Sequence, residues 1–276
     1  SLAFPPWPID IIYRRQKMVS ISSAYLQTWI IGLIWPLVRV LGVIAAAPIF
    51  SNNAIPNRIK LGIGIMLTLI IMPTLPAMPQ FEIFSFQGLF ILIQQLVIGL
   101  AIGFSMRLVF SAVDLAGQLI GMSMGLGFAT FYDHQSQGQS AAVNQFLMLL
   151  SMLIFLGLDG HLMIVTAIAN SFISMPIVLD AGGINPMKIA MWGEMIFRVG
   201  LLLSLPAVTA LLITNMALGI LTRTAPQLNL FAIGFPLTLT VGFVVLALSL
   251  PGMLKPIENF IEQAVSNMHQ IAVPTK

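Results

Sequence analysis

Apolar and polar positions alternate along this chain in long blocks, not at short period. Apolar stretches run over about 25–50, 59–76, 86–132, 141–178, 196–221 and 228–254. Polar and proline-bearing breaks separate them at Ser51–Pro56, Pro73–Glu82, Asp133–Ser140, Asp180–Pro186 and Arg223–Asn229. A helix needs about 20 apolar residues to cross about 30 Å of hydrocarbon, so the simplest count gives six spans. The pattern predicts an all-α protein built from hydrophobic helices and helical hairpins.

Two stretches do not fit one span each. Phe86–Tyr132 contains no proline and no strong turn cluster, and as one helix it would be about 70 Å long, twice a bilayer core. It must fold back as a hairpin or stand partly outside lipid under other protein, and Arg107 with Asp114 marks a natural bend. Ala141–Val178 is also overlong, and the interruption at Asp159, Gly160 and His161 suggests a second hairpin.

Charges within these stretches carry the same message. Arg39, Arg107, Asp114, Asp159 and Arg198 would each cost about 2.5–3.5 kcal/mol at the centre of a lipid-exposed helix. They are therefore expected to face other helices, other subunits or a wet cavity, or to sit where hairpins turn. Basic residues are no guide to orientation, because Arg14, Arg15 and Lys17 precede the first apolar stretch and Arg58 and Lys60 follow it. A first segment that Pro36 and Pro48 break short of a crossing would resolve this.

Composition sharpens the class. Of 276 residues, 58% are hydrophobic and 8% charged, against about a quarter charged in soluble domains. With no cysteine there is no disulfide framework, thiolate metal site or cysteine nucleophile. The net charge of +3 comes from mostly scattered Lys and Arg, so no basic face for a nucleic acid emerges. Residues 1–18 read as a leader outside the fold, with Phe4, Pro5, Pro6, Trp7 and Pro8 ahead of the basic cluster.

Few motifs carry chemistry. Gly121, Ser123 and Gly125 match G-x-S-x-G, but a nucleophile elbow needs a strand, a sharp turn and a helix. Gly117, Gly121 and Gly125 instead recur every four residues, which places them on one helix face for close packing, with Gly99 and Gly103 repeating the signal. Met122, Met124, Phe128, Phe131 and Tyr132 flank the polar loop Asp133–Ser140. Deformable Met and aromatic side chains at a hairpin tip either close a narrow pore or form an interfacial belt. Asp159, His161 and His134 are candidates for a proton relay or for bonding at a helix break, the second being favoured. Glu194 and Arg198 stand in the favourable order for a helical ion pair. No metal-binding, phosphate-binding or dinucleotide fingerprint is present, so neither an enzyme class nor a cofactor has support.

Several phrases together point to one family. Trp35-Pro36-Leu37-Val38-Arg39 is followed by Ala47-Pro48-Ile49-Phe50 and Ile55-Pro56-Asn57-Arg58-Ile59-Lys60. Then come Gly125-Leu126-Gly127-Phe128-Ala129-Thr130-Phe131-Tyr132-Asp133, Gly160-His161-Leu162, and Arg223-Thr224-Ala225-Pro226-Gln227-Leu228-Asn229 with Phe231 and Ile233-Gly234-Phe235-Pro236. In these blocks, over about 20–265, the chain resembles the flagellar biosynthetic protein FliR family of type III secretion export-gate subunits.

The resemblance implies a FliP-like helical part over 19–190, fused to a FliQ-like hairpin over 191–265 with a tail at 266–276. It further implies a helically arranged complex with FliP and FliQ, and with FlhB beside it. The location would be the bacterial inner membrane within the flagellar basal body, and the cargo unfolded flagellar proteins. The loop bearing Phe128 and Phe131 would be the plug that closes the export channel. Residues before Met18 lack a family counterpart, and no proline follows Asp133. The nearest alternative is the paralogous subunit of a virulence-type injectisome, although Ile233–Leu239 looks flagellar. A secondary transporter or a hydrolase using Ser123 are the readings from other classes.

Overall fold

A computed structural model describes residues 23–52, 54–75, 85–126, 142–178, 186–225 and 230–271. All regular structure among these residues is helical: α1 (Ser23–Ala46), α2 (Pro48–Ser51), α3 (Asn57–Ile71), α4 (Phe86–Ser123), α5 (Ala142–Gly157), α6 (Gly160–Ser174), α7 (Pro186–Thr224) and α8 (Leu230–Ile271). A short 3₁₀ turn, Met72–Thr74, closes α3.

The central element is α4. Ser85 caps its start, the hydroxyl accepting from the Gly88 N–H at 3.0 Å, and the helix then runs 38 residues without interruption, about 57 Å. The bend expected at Arg107 and Asp114 is absent. A charged residue does not itself break the backbone ladder, and neither proline nor a turn cluster is present to do so. The length is accommodated by neighbours: α1, α5, α7 and α8 all pack on α4, and half of its residues are buried within the chain. A helix apolar on every side needs such a setting.

The break at Asp159 falls where the sequence places it, but α5 and α6 meet at 64°, an elbow instead of an antiparallel hairpin. Asp159 adopts the left-handed conformation at φ 55°, which Asp tolerates better than most residues, and Gly160 lies directly under the Phe155 ring. Pro36 does not break the first helix, since α1 continues to Ala46 and the chain turns only at Ala47, ahead of Pro48. Proline at the first position of α2 is well suited there, having no N–H to leave unpaired.

The last two helices exceed the expected 196–221 and 228–254. They span 39 and 42 residues, about 58 and 63 Å, passing through Pro206 in α7 and Pro236, Pro251 and Pro256 in α8. Met195–Leu202 and Pro256–Gln263 line one groove, so α7 and α8 are antiparallel. Among the described residues four helices are long and apolar enough to cross a membrane, and five spans result if the bent α5–α6 pair counts as one. The described apolar part of α1, Gly32–Ala46, is shorter than a span.

Candidate functional site

The loop singled out by sequence leaves from the end of α4. There the helix is terminated by a complete Schellman cap: Leu126 N–H donates to Gly121 O at 3.0 Å and Gly125 N–H to Met122 O at 3.0 Å. Gly125 has φ +84°, the left-handed geometry for which glycine carries no Cβ penalty. Gly125 is therefore a helix stop, not the third member of a packing face, because it lies two residues beyond the last helical residue. Leu126 packs back on the core, the apolar contact that accompanies this cap.

The cap is held from outside by α8. Met124 is fully buried, and a Cβ built on Gly242 would lie 2.5 Å from its Cγ and 3.0 Å from its Sδ. The Phe235 ring lies 3.5 Å from where a Cβ on Gly125 would be. The Thr238 hydroxyl donates to Phe235 O at 3.0 Å and also lies 3.4 Å from Met124 O. Met124 thus belongs to the anchor of the loop, whereas Met122 is 61% exposed and faces away from it. Phe128, Phe131 and Tyr132, with His134 and the polar loop, lie outside the described residues.

The remaining glycines do not act as one stripe. Gly117 faces α5, where an added Cβ would lie 2.5 Å from Asn144 Cα, and Gly121 is buried. The closest approach of two backbones is at the other half of α4. A Cβ on Gly99 would collide with Arg39 O, one on Gly42 would lie 2.9 Å from Leu96 O, and one on Gly103 would lie 2.7 Å from Val43 O. On a third side, Gly200 of α7 comes within 2.9 Å of Ala112 O by the same measure.

Arg39 is the charge most completely absorbed by the chain. Its side chain is fully buried, with no carboxylate beside it among the described residues. Nε donates to Gln95 Oε1 at 2.8 Å, Nη1 to Ser171 O at 2.8 Å and Ser171 Oγ at 3.1 Å, and Nη2 to Met175 O at 2.9 Å. The guanidinium carbon also lies 4.0 Å from the Phe172 ring centre. Ser171 and Met175 carry the last carbonyls of α6, where unsatisfied acceptors and the negative end of the helix dipole concentrate. The planar fork of arginine caps this helix end while reaching across to α4, a task a lysine could not duplicate.

The other charges remain at the surface. Arg107 and Arg198 are exposed, and Asp114 accepts from Gln118 Nε2 at 2.9 Å. Arg107 ends an exposed apolar stripe that includes Leu89, Phe90, Ile93, Leu96, Val97, Leu100 and Phe104. Asp159 is exposed at the elbow and caps nothing with its side chain. His161 Nδ1 is buried without a hydrogen-bond partner, so no Asp159–His161 bond forms through that atom. Glu194 and Arg198 do not pair; the ion pair found among the described residues is Lys255–Glu258 at 3.1 Å. Ser123 lies in the last turn of α4, its hydroxyl donating to Leu119 O at 2.8 Å, and no strand precedes it as a nucleophile elbow requires.

Sequence reasoning missed Gly42, Gln95, Ser171, Gly200, Thr238 and Gly242. A complementary polar residue in a neighbouring apolar stretch, as Gln95 is to Arg39, was the available signal for one. The small residues of α7 and α8 gave none, since nothing local says which of them meets a backbone.

Comparison with known proteins covers nearly the whole of this structure. The family model for bacterial export proteins, family 1, matches residues 30–264. The chain is 44% identical over 240 residues to the flagellar biosynthetic protein FliR of Pectobacterium carotovorum subsp. carotovorum, covering 85% of this chain and 90% of that protein. It is 42% identical over 235 residues to the flagellar biosynthetic protein FliR of Escherichia coli (strain K12), at the same coverage. The protein of that name from Bacillus subtilis (strain 168) is 26% identical over 238 residues, 85% of this chain and 92% of its own length.

Proposed function

The chain belongs to the bacterial export proteins, family 1, and from this membership we propose that it is a membrane-embedded subunit of the flagellar protein export apparatus. Its role is structural and gating, not catalytic. It assembles with FliP and FliQ copies in the bacterial inner membrane, FlhB joins the same complex, and unfolded flagellar proteins pass through the channel so formed. The part up to about residue 190 acts as a FliP-like element and 191–265 as a FliQ-like hairpin.

The observation that carries this reading is the mismatch between apolar length and cover. The apolar spans Ile189–Thr224 and Ile233–Met268 are each 36 residues long, and of an 18-residue apolar stretch within each only 28% and 22% is buried within the chain. A bilayer core shields about 20 residues of a helix, so the remaining apolar surface requires protein neighbours. Arg198 on α7 and Arg107 on α4 are admissible for the same reason, since a neighbouring subunit or a wet cavity removes the cost of facing lipid.

The loop after Gly125, with Phe128 and Phe131, is the plug of the resting channel. Its position at the end of a capped helix gives a fixed base, and its aromatic residues seal without directional bonds. Co-expression tests the assembly: the chain is expected to purify with FliP and FliQ as one large complex. A stable, monodisperse monomer in detergent that recruits neither would contradict the reading. For the plug, Phe128→Ala with Phe131→Ala is expected to raise small-molecule leakage through the assembled channel severalfold, and unchanged conductance would remove the assignment.

A further inference from the structure

We infer that the groove between the first half of α7 and the second half of α8 binds one phospholipid and selects a phosphoethanolamine headgroup. The phosphate sits on Arg198, the ammonium reaches Glu194, and the acyl chains run toward the middle of the hairpin. The inference uses the membrane placement of the hairpin and is independent of the plug.

The groove has the two kinds of lining that such a lipid needs. Arg198, Asn259 and Gln263 supply hydrogen-bond donors, and Val199, Leu202 and Phe260 supply an apolar floor. Asn259 and Gln263 are four residues apart and so share one face of α8. The space is about 260 Å³, just below the range of about 300–1,000 Å³ that encloses a whole small ligand. It therefore fits a headgroup whose chains lie outside it. The planar guanidinium matches a phosphate through two parallel N–H···O bonds.

The level of the groove along the hairpin selects a lipid over a soluble anion. No charged residue occurs between Arg198 and Arg223, nor from there until Lys255. Arg198 and Arg223 are about 37 Å apart along α7 at 1.5 Å per residue. That exceeds the hydrocarbon thickness of about 30 Å and falls short of the 40–45 Å or so that includes the headgroups. Both arginines thus stand at headgroup depth, and the groove opens there. Leu202 and Pro256 line its inner end, beside the charge-free part, and Met195 with Gln263 its outer end. Leu212 and Met216 lie at least about 20 Å further along α7, so the lipid leaves those positions to other subunits.

Nearby charges select the headgroup. Glu194 stands four residues before Arg198 on the same face of α7, with Cβ atoms about 6 Å apart. Both are exposed, and neither has an ionic partner among the described residues. On α8, Glu258 is engaged by Lys255 at 3.1 Å, and Glu262 is exposed. Carboxylates at 194, 258 and 262 outnumber the cations at 198 and 255 in these turns. A headgroup of net negative charge is disfavoured there, whereas one that carries its own ammonium beside the phosphate satisfies both Arg198 and Glu194.

The test uses the assembled complex purified from membranes. It is reconstituted in vesicles of one carrier lipid that contain a photoactivatable phosphatidylethanolamine, phosphatidylglycerol or phosphatidylcholine, and adducts are mapped by mass spectrometry. Labelling of 195–202 and 256–263, relative to total labelling of the complex, is expected to be severalfold higher with phosphatidylethanolamine. Phosphatidylglycerol lacks the ammonium, and choline has no N–H to donate to Glu194. Arg198→Gln is expected to lower groove labelling severalfold with all three lipids. Glu194→Gln is expected to keep the labelling but abolish the preference over phosphatidylglycerol. Because selectivity is read on the wild-type complex, the test stands whether or not Arg198→Gln assembles. An intact complex with no adduct in the groove overturns the site, and the groove is then covered by protein. Equal labelling by the three lipids overturns the headgroup assignment, and undiminished labelling of Arg198→Gln overturns the phosphate contact. A preparation without FliP and FliQ contradicts the subunit reading instead, and the same labelling then decides the lipid site on the chain alone.

Discussion

The α1–α4–α6 core and the α7–α8 hairpin are made of similar apolar residues, yet they treat their surfaces in opposite ways. In the core, backbones touch at Gly42, Gly99 and Gly103, and a buried arginine ties three helices together through Gln95, Ser171 and Met175. In the hairpin, Leu205, Leu212, Ile213, Met216, Ile220 and Leu248 are all more than half exposed. Glycines Gly193, Gly219 and Gly252 there have nothing within 4 Å of an added Cβ. Hydrophobicity alone therefore does not tell an internal core from an interface. Close backbone approach and satisfied polar groups do, because both require a fixed partner within the same chain.

The largest expected effect breaks the core from within. Arg39→Ala removes the arginine donor from Gln95 Oε1, Ser171 Oγ and Met175 O in a buried site, at about 1–3 kcal/mol for each group left unsatisfied. Thermal unfolding of the detergent-solubilised subunit should show a loss of about 3 kcal/mol or more in total, with Arg39→Lys recovering only part of it. An unchanged transition would mean that the arginine network does not hold the core together. Next in size is Gly99→Ala, whose methyl would meet the backbone of Arg39. It should cost about 1–3 kcal/mol by overpacking in the same assay. Gly219→Ala on the hairpin should do the reverse and stabilise the isolated subunit by about 0.5–1 kcal/mol through helix propensity. Opposite signs at two helical glycines would sharpen the contrast between the regions, and a loss at Gly219 would reveal a contact inside the chain. The smallest effect on the isolated subunit is expected from Leu212→Gln with Met216→Gln, within about 0.5 kcal/mol because both are exposed. The same double variant should lose recovery of the complex.

Much of the helical arrangement was legible because long apolar blocks and proline-bearing breaks are strong local signals. Asp159-Gly160 marked a real interruption, and Ser51–Pro56 and Arg223–Asn229 fell between or at the ends of helices. What failed was the inference from charge to bend: Arg107 and Asp114 sit on an unbroken helix because their side chains reach the surface of α4. The stop at Gly125 was hidden by its regular spacing from Gly117 and Gly121, since a fourfold period extends a face until a cap ends it. Arg39 was recognised as a residue needing neighbours, but its partner is a helix end, and carbonyl acceptors leave no residue-specific mark in a sequence. Gly200 and Gly242 were illegible for a related reason, as their meaning lies in the backbone or side chain opposite.

The central claim is that the uncovered faces of the hairpin are completed by other subunits of the export apparatus. It is tested most directly by placing a photo-crosslinking residue at Leu212 or Met216 in cells that assemble the apparatus. Adducts containing FliP or FliQ are predicted from both positions, and none from buried Leu211. Adducts to lipid alone at Leu212 and Met216, in cells where the complex is intact, would contradict the account.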